Sequence, residues 1–199
     1  MPNWCENHMT ISNPEVFKEK CVKNGNFCFD NIIPQPEHMK LYNDLNMSES
    51  DENLMEEAGI TKERLGKEPD NDFFRDGVID FLYAKEWMNK EAERTGVKPS
   101  NWYEWDCDNW GTKWDLAHDD CNLDNLDEAI KNNEPFYLQF DTAWAPPEPV
   151  LHKMAELGVQ FDWDCEEGGN EIYMEGYSDG ETFSCYDVDP PRDDEDEDE

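Results

Sequence analysis

Strict alternation of apolar and polar residues recurs along this chain, and it leaves few architectures open. From Cys5 to Ile11, Cys5, Asn7, Met9 and Ile11 share one face while Glu6, His8 and Thr10 share the other. In FYLQFDTAW, Phe136, Leu138 and Phe140 alternate with Gln139 and Asp141. VQFDWDC places Val159, Phe161, Trp163 and Cys165 opposite Asp162 and Asp164, and Gly168-Gly169 then turns the chain into EIYMEGY. A period of two predicts strands with one buried and one wet face, and the last two form a hairpin. The segment from Trp110 also alternates, with Trp110, Thr112, Trp114 and Leu116 expected inward and Gly111, Lys113, Asp115 and Ala117 outward.

Helical signals lie between these strands. Asn13-Pro14 offers a cap with proline in the first turn, and the Phe17 and Cys21 pair predicts a helix ending near Asn24-Gly25. FCFDNIIPQPEHM, broken by Pro34 and Pro36, reads as extended. Phe74, Val78, Phe81, Leu82 and Met88 form a helical stripe stopped by Gly96, and Leu126 with Ile130 marks a short helix. After Pro146-Pro147, Val150, Leu151, Met154 and Leu157 mark another, stopped by Gly158. With the stretch at about 39–101 treated as a helical insertion, the order is β-α-β-β-α-β with an extra C-terminal hairpin strand. That is an α+β, ferredoxin-like antiparallel sheet with helices on one face. Residues 1–186 are expected to form one domain, and 187–199 an acidic, disordered tail.

Charge is the second constraint. Fifty acidic residues face sixteen basic ones, giving a net charge of −34. Even without the tail, 41 acids face 15 bases, so the folded part carries the acidity. Aromatic residues, at 13% of the chain, supply enough bulk for a packed core. Direct binding of nucleic acid is disfavoured, because it needs a Lys and Arg footprint. No calcium-loop pattern, apolar membrane span or secretory leader is visible. Seven dispersed cysteines without a C-x-x-C pair argue for a reduced, cytoplasmic protein.

Candidate chemistry is sparse. The four histidines have no spacing that links them to a nucleophile, so no catalytic residue and no cofactor is expected. His118, Asp119, Asp120 and Cys121 mix hard and soft donors in one short run, a poor set for a single ion, and no metal is expected. Trp102 and Trp105 stand amid carboxylates, where indoles can anchor a basic, apolar partner. Lys113, Asp115, Asp141 and Trp144 fall on what should be neighbouring polar strand faces, an alternative site for a small ligand or nucleotide.

The blocks MPNWCENHMTIS, FDNIIPQPEHM, NWGTKWD and FDTAWAPPEPVL, in this order, resemble the YubB-like family of ferredoxin-like-domain proteins from phages and plasmids. The resemblance covers residues 1 to about 38 and 102 to 177. It implies the ferredoxin-like fold and a mobile-element origin, and it carries over no catalytic residue.

Together these features predict an acidic interaction protein that imitates nucleic acid and inhibits a basic host protein of defence or DNA metabolism, such as a restriction enzyme, CRISPR effector or nuclease. The carboxylate array would be Asp106, Asp108, Asp119, Asp120, Asp162, Asp164, Glu171 and Glu175, with Trp102 and Trp105 as anchors.

Overall fold

The computed structural model describes residues 3–44, 87–116 and 121–190. Contacts divide the chain into two compact units, Met1–Pro34 with Trp105–Glu199, and Gln35–Glu104.

The first unit is built on a five-stranded antiparallel sheet of β1 (Trp4–Ile11), β4 (Phe136–Ala143), β5 (Gln160–Glu167), β6 (Ile172–Asp179) and β7 (Phe183–Asp187), in the order β4-β1-β5-β6-β7. A separate two-stranded ribbon pairs β2 (Val22–Lys23) with β3 (Asn26–Phe27). β1 lies antiparallel to both β4 and β5, so those two are parallel to each other with β1 between them. The helix joining them, α5 (Glu148–Glu156), completes a split βαβ unit. β5, β6 and β7 then continue as a meander.

One face of the sheet is covered. Cys5, Met9 and Ile11 of β1, Phe136, Leu138 and Phe140 of β4, and Phe161, Trp163 and Cys165 of β5 are buried, as the alternation predicts. They form one cluster with Phe17 and Cys21 of α1 (Pro14–Cys21), Leu126 and Ala129 of α4 (Leu126–Asn132), and Val150, Leu151 and Met154 of α5. Aromatic rings knit its centre: Phe27 lies 5.9 Å and Phe29 6.1 Å from Phe140. Asn7 is a polar member of this buried face, and all its groups are used. Its Nδ2 donates to the Cys5 carbonyl (2.9 Å) and to Thr142 Oγ1 (3.0 Å), while Trp163 Nε1 donates to its Oδ1 (3.2 Å). One side chain therefore ties β1 to both of its neighbours.

Several expectations are corrected. Residues 110–116 are not a strand. The tryptophan segment forms α3 (Trp102–Trp110), and Gly111 at φ +81° then starts a loop. The buried positions of α3 are Asp106 and Trp110, a helical i,i+4 pair in which one member is a carboxylate, so its stripe is hidden in the sequence. The fifth strand of the sheet is instead β7, at the edge of the expected tail. Finally, α1 ends at Cys21, and Asn24-Gly25, with φ of 54° and 78°, turns the β2–β3 ribbon. The first part of FCFDNIIPQPEHM is short β3 and a 3₁₀ turn (Phe29–Asn31) rather than one extended run.

The second unit contains α2 (Glu37–Asp44), a helical run 87–95 ended by Gly96 at φ +75°, and a 3₁₀ turn (Pro99–Asn101). The His38 Nε2 and Val97 carbonyl pair at 2.9 Å joins its two ends, and Trp102 packs edge-on to Tyr103. The stripe from Phe74 to Leu82 lies outside the described residues, as does the tail from 191 onward.

Replacing Asn7 by Ala would strand the buried Trp163 N–H and remove the donor to Thr142 Oγ1, whose own hydroxyl keeps the Ala145 carbonyl at 2.8 Å. Asn7→Ala is expected to lower stability by about 1–3 kcal/mol in urea unfolding, with an unchanged slope.

Candidate functional site: the open face of the sheet

Most polar positions of the alternating strands project to the face that the described helices leave uncovered; Asn7, Thr142, Glu167 and Ser178 are the buried exceptions. Strand register places them in cross-strand rows. Gln139, His8, Asp164, Glu175 and Tyr186 form one row, and Tyr137, Thr10, Asp162, Tyr177 and Ser184 another. Asp141, Glu6, Glu166 and Tyr173 form a third. Six exposed carboxylates therefore share one face: Glu6, Asp141, Asp162, Asp164, Glu166 and Glu175. None of the five strands contains Lys or Arg. The basic side chain that the strands themselves place on the face is His8, whose Nδ1 lies 3.0 Å from Asp164 Oδ2.

Tyrosines alternate with the acids. Tyr137, Tyr177 and Tyr186 are exposed, and Tyr186 donates its hydroxyl to Glu175 Oε2 at 3.1 Å. That hydrogen bond, reinforced by the charge of the carboxylate, raises the pKa of the phenol and keeps it protonated. Asp162, Asp164, Tyr173, Glu175, Tyr177 and Tyr186 line an open groove of about 530 Å³. Along β5, Asp162, Asp164 and Glu166 are two residues apart, so their carboxylates repeat every ~7 Å at the usual strand rise.

The expected partner-binding residues divide. Asp162, Asp164 and Glu175 meet on this face. Glu171 is exposed in the β5–β6 turn, at φ 56°, and Asp108 is exposed on α3. Asp106 is corrected: it is only 3% exposed, because it faces inward one helical turn before the buried Trp110. Trp105 is half-buried, packs on the core and meets Trp110 edge-on at 5.4 Å, so it supports the fold rather than standing free as an anchor. Trp102 is half-buried. Asp119 and Asp120 lie outside the described residues, as does His118 of the metal run. Among the described residues no cluster of His, Cys, Asp and Glu has the composition of a metal site.

The alternative ligand set divides too. Asp115 is held inside, where its Oδ1 accepts from the Phe29 (2.6 Å) and Leu116 (2.7 Å) amides and its Oδ2 from Asp30 (3.1 Å). It thus satisfies the Phe29 and Asp30 amides at the start of the 3₁₀ turn. Burial raises the pKa of its carboxyl, and the three amides oppose that shift. Asp141 stands on the open sheet face, while Lys113 and Trp144 come together at one corner of it. Trp114, expected inward, is 39% exposed there. Sequence reasoning missed Glu6, Glu166 and the tyrosines of this face. Glu6 was visible in the alternation, whereas Tyr186 depended on a strand that the acidic end of the chain disguised.

Residues 109–199 match a family model described as the ferredoxin-like domain in Api92-like protein. The ferredoxin-like domain implied by the sequence is thus found, under an Api92-like description rather than a YubB-like one. Among solved structures, the chain is similar to the crystal structure of a protein api92 from Yersinia pseudotuberculosis, at 11% identity. That alignment covers 96% of this chain and 100% of the other, with a TM-score of 0.43. None of the curated proteins matches the chain. No helix among the described residues is long and apolar enough to cross a membrane.

Gly111, which starts the loop bearing Lys113 and Trp114, has no room for a side chain. A Cβ there would meet Pro149 Cδ at 2.8 Å and the Pro146 carbonyl at 2.9 Å, at a φ that L-residues rarely adopt. Gly111→Ala is expected to cost at least ~1 kcal/mol in urea unfolding and to shift tryptophan emission as the loop moves.

Proposed function

We propose that the protein is an acidic interaction module that docks a basic partner across the open face of its sheet. The observation that carries this reading is the segregation of six carboxylates and several tyrosines onto one face whose strands lack Lys and Arg. Such a face focuses a negative field and steers a positively charged partner toward it. Exposed tyrosines supply contact area with two rotatable bonds each, so they lose little entropy when covered. The even repeat of carboxylates along β5 resembles the regular spacing of backbone phosphates. This favours a partner that itself binds nucleic acid and accepts the face in place of its usual ligand.

In its most specific form, the protein comes from a phage or plasmid and blocks a host restriction enzyme, CRISPR effector or nuclease. The mobile-element origin rests on the sequence resemblance alone, whereas the docking face rests on the strand register. A catalytic role finds no support in Asp115, whose carboxylate is taken up by the Phe29, Asp30 and Leu116 amides while Lys113 lies over Trp114 and Trp144.

The test is affinity capture from host lysate at low and moderate salt, with the wild-type protein and an Asp162→Asn, Asp164→Asn, Glu175→Gln triple variant. The expected result is one nucleic-acid-binding host complex, released by salt or competing DNA and lost from the triple variant. Its association rate should fall about tenfold or more in the variant at low salt. Equal capture by both proteins would remove the open face from the account.

A further inference from the structure

At the corner where β1 and β4 begin and end, three tryptophans stand partly in solvent. Trp4, Trp114 and Trp144 are 51%, 39% and 37% exposed. The Trp4 and Trp114 rings lie 6.4 Å apart at a 43° tilt. The Lys113 ammonium sits 4.1 Å from the Trp114 ring centroid and 4.8 Å from that of Trp144. Trp144 itself adopts φ +72°, a conformation unfavourable for a bulky side chain, and its amide donates to the Asn3 carbonyl at 3.0 Å. The chain thus accepts local strain at the residue that brings this indole to the Lys113 ammonium, which also meets Trp114.

From this arrangement we infer that the Trp4, Trp114 and Trp144 cluster is an aromatic box for a quaternary or alkylated ammonium group, with Lys113 as its resident occupant. Indole faces attract cations through the ring quadrupole, and tryptophan does so best. A bare ammonium such as that of Lys113 remains strongly hydrated, so it is a weak occupant of an apolar box. An alkylated ammonium carries the same charge with apolar substituents that the rings can cover, so it is able to displace Lys113.

The surrounding charge suits a cation. On the same sheet face, Glu6 stands two residues from Trp4, opposite Asp141, which stands two residues from Ala143, the partner of Trp4. The two indoles of Trp114 and Trp144 come from loops fixed by Gly111 and by the end of β4, so the box does not require a helix or strand to move. It is a different site from the groove over β5 and β6, and it stands on different residues.

The probe is tetramethylammonium chloride, titrated into the full-length protein at constant ionic strength with sodium chloride as the control. The readout is the set of indole Nε1–H signals in ¹⁵N-labelled protein. The inference predicts saturable shifts at Trp4, Trp114 and Trp144 that sodium does not produce. Lys113→Ala should tighten binding about two- to fivefold, the equivalent of one exposed cation–π contact removed as competitor. Trp4→Ala, a substitution at a half-exposed position, should abolish saturation while the dispersion of the remaining signals shows a folded protein. A trimethyl-lysine peptide binding more tightly than the free cation would identify the source as a protein side chain, and equal affinity a small molecule. Shifts that are linear in concentration and shared with sodium, or binding indifferent to Lys113→Ala and Trp4→Ala, would overturn the inference.

Discussion

β1 is hydrogen-bonded along both edges, and that single fact divides the molecule into two chemistries. With β4 on one side and β5 on the other, its residues have no edge to escape to, so each must serve either the core or the open face. Cys5, Met9 and Ile11 pack under the helices, and Glu6, His8 and Thr10 join rows that cross the sheet. A slip of one residue would exchange the two sets, driving Glu6 into the core and Ile11 into water. Asn7 opposes such a slip, because only in the observed register can it serve Thr142 and Trp163 together. Its polar side chain acts as a register pin, a use of buried polarity that hydrophobic contacts cannot replace.

The strands with a wet face were legible because polar residues alternate with apolar core residues, as the acids do with Phe161, Trp163 and Cys165 in FDWDC. The helix α5 was legible from Val150, Leu151 and Met154 behind a proline pair. Elsewhere, local patterns carried two meanings. NWGTKWD alternates, yet Trp110 belongs to a helix, and Gly111 takes a φ that ends it. Asn24-Gly25 fits a helix terminus as well as a hairpin, and the choice depended on pairing between Val22 and Phe27. Asp106 is a carboxylate at a buried helix position, which no polarity rule assigns inward. The open face was only half visible, because strand neighbours, not residues next to each other in sequence, bring Glu6, Glu166 and Tyr173 into one row.

Placing like charges on one side of a sheet carries a cost, because cross-strand acids repel one another. The arrangement mitigates that repulsion in recognisable ways. His8 stands beside Asp164, Tyr186 donates to Glu175, and Gln139 and Thr10 interrupt the acidic rows. The remaining field has no counterpart within the strands themselves, and a basic partner would relieve it. On the proposed docking role, neutralising the face is expected to steady the free protein while weakening its hold on a basic partner.

The most direct test of a docking role for this face is a residue-resolved map of where a basic ligand lands. An arginine-rich peptide titrated into ¹⁵N-labelled protein, at low and then physiological salt, would provide it. The account predicts amide shifts concentrated at Glu6, His8, Asp162, Asp164, Glu175 and Tyr177, fading together as salt rises. Shifts confined to the acidic run after residue 190, or spread evenly over α1, α4 and α5, would contradict it.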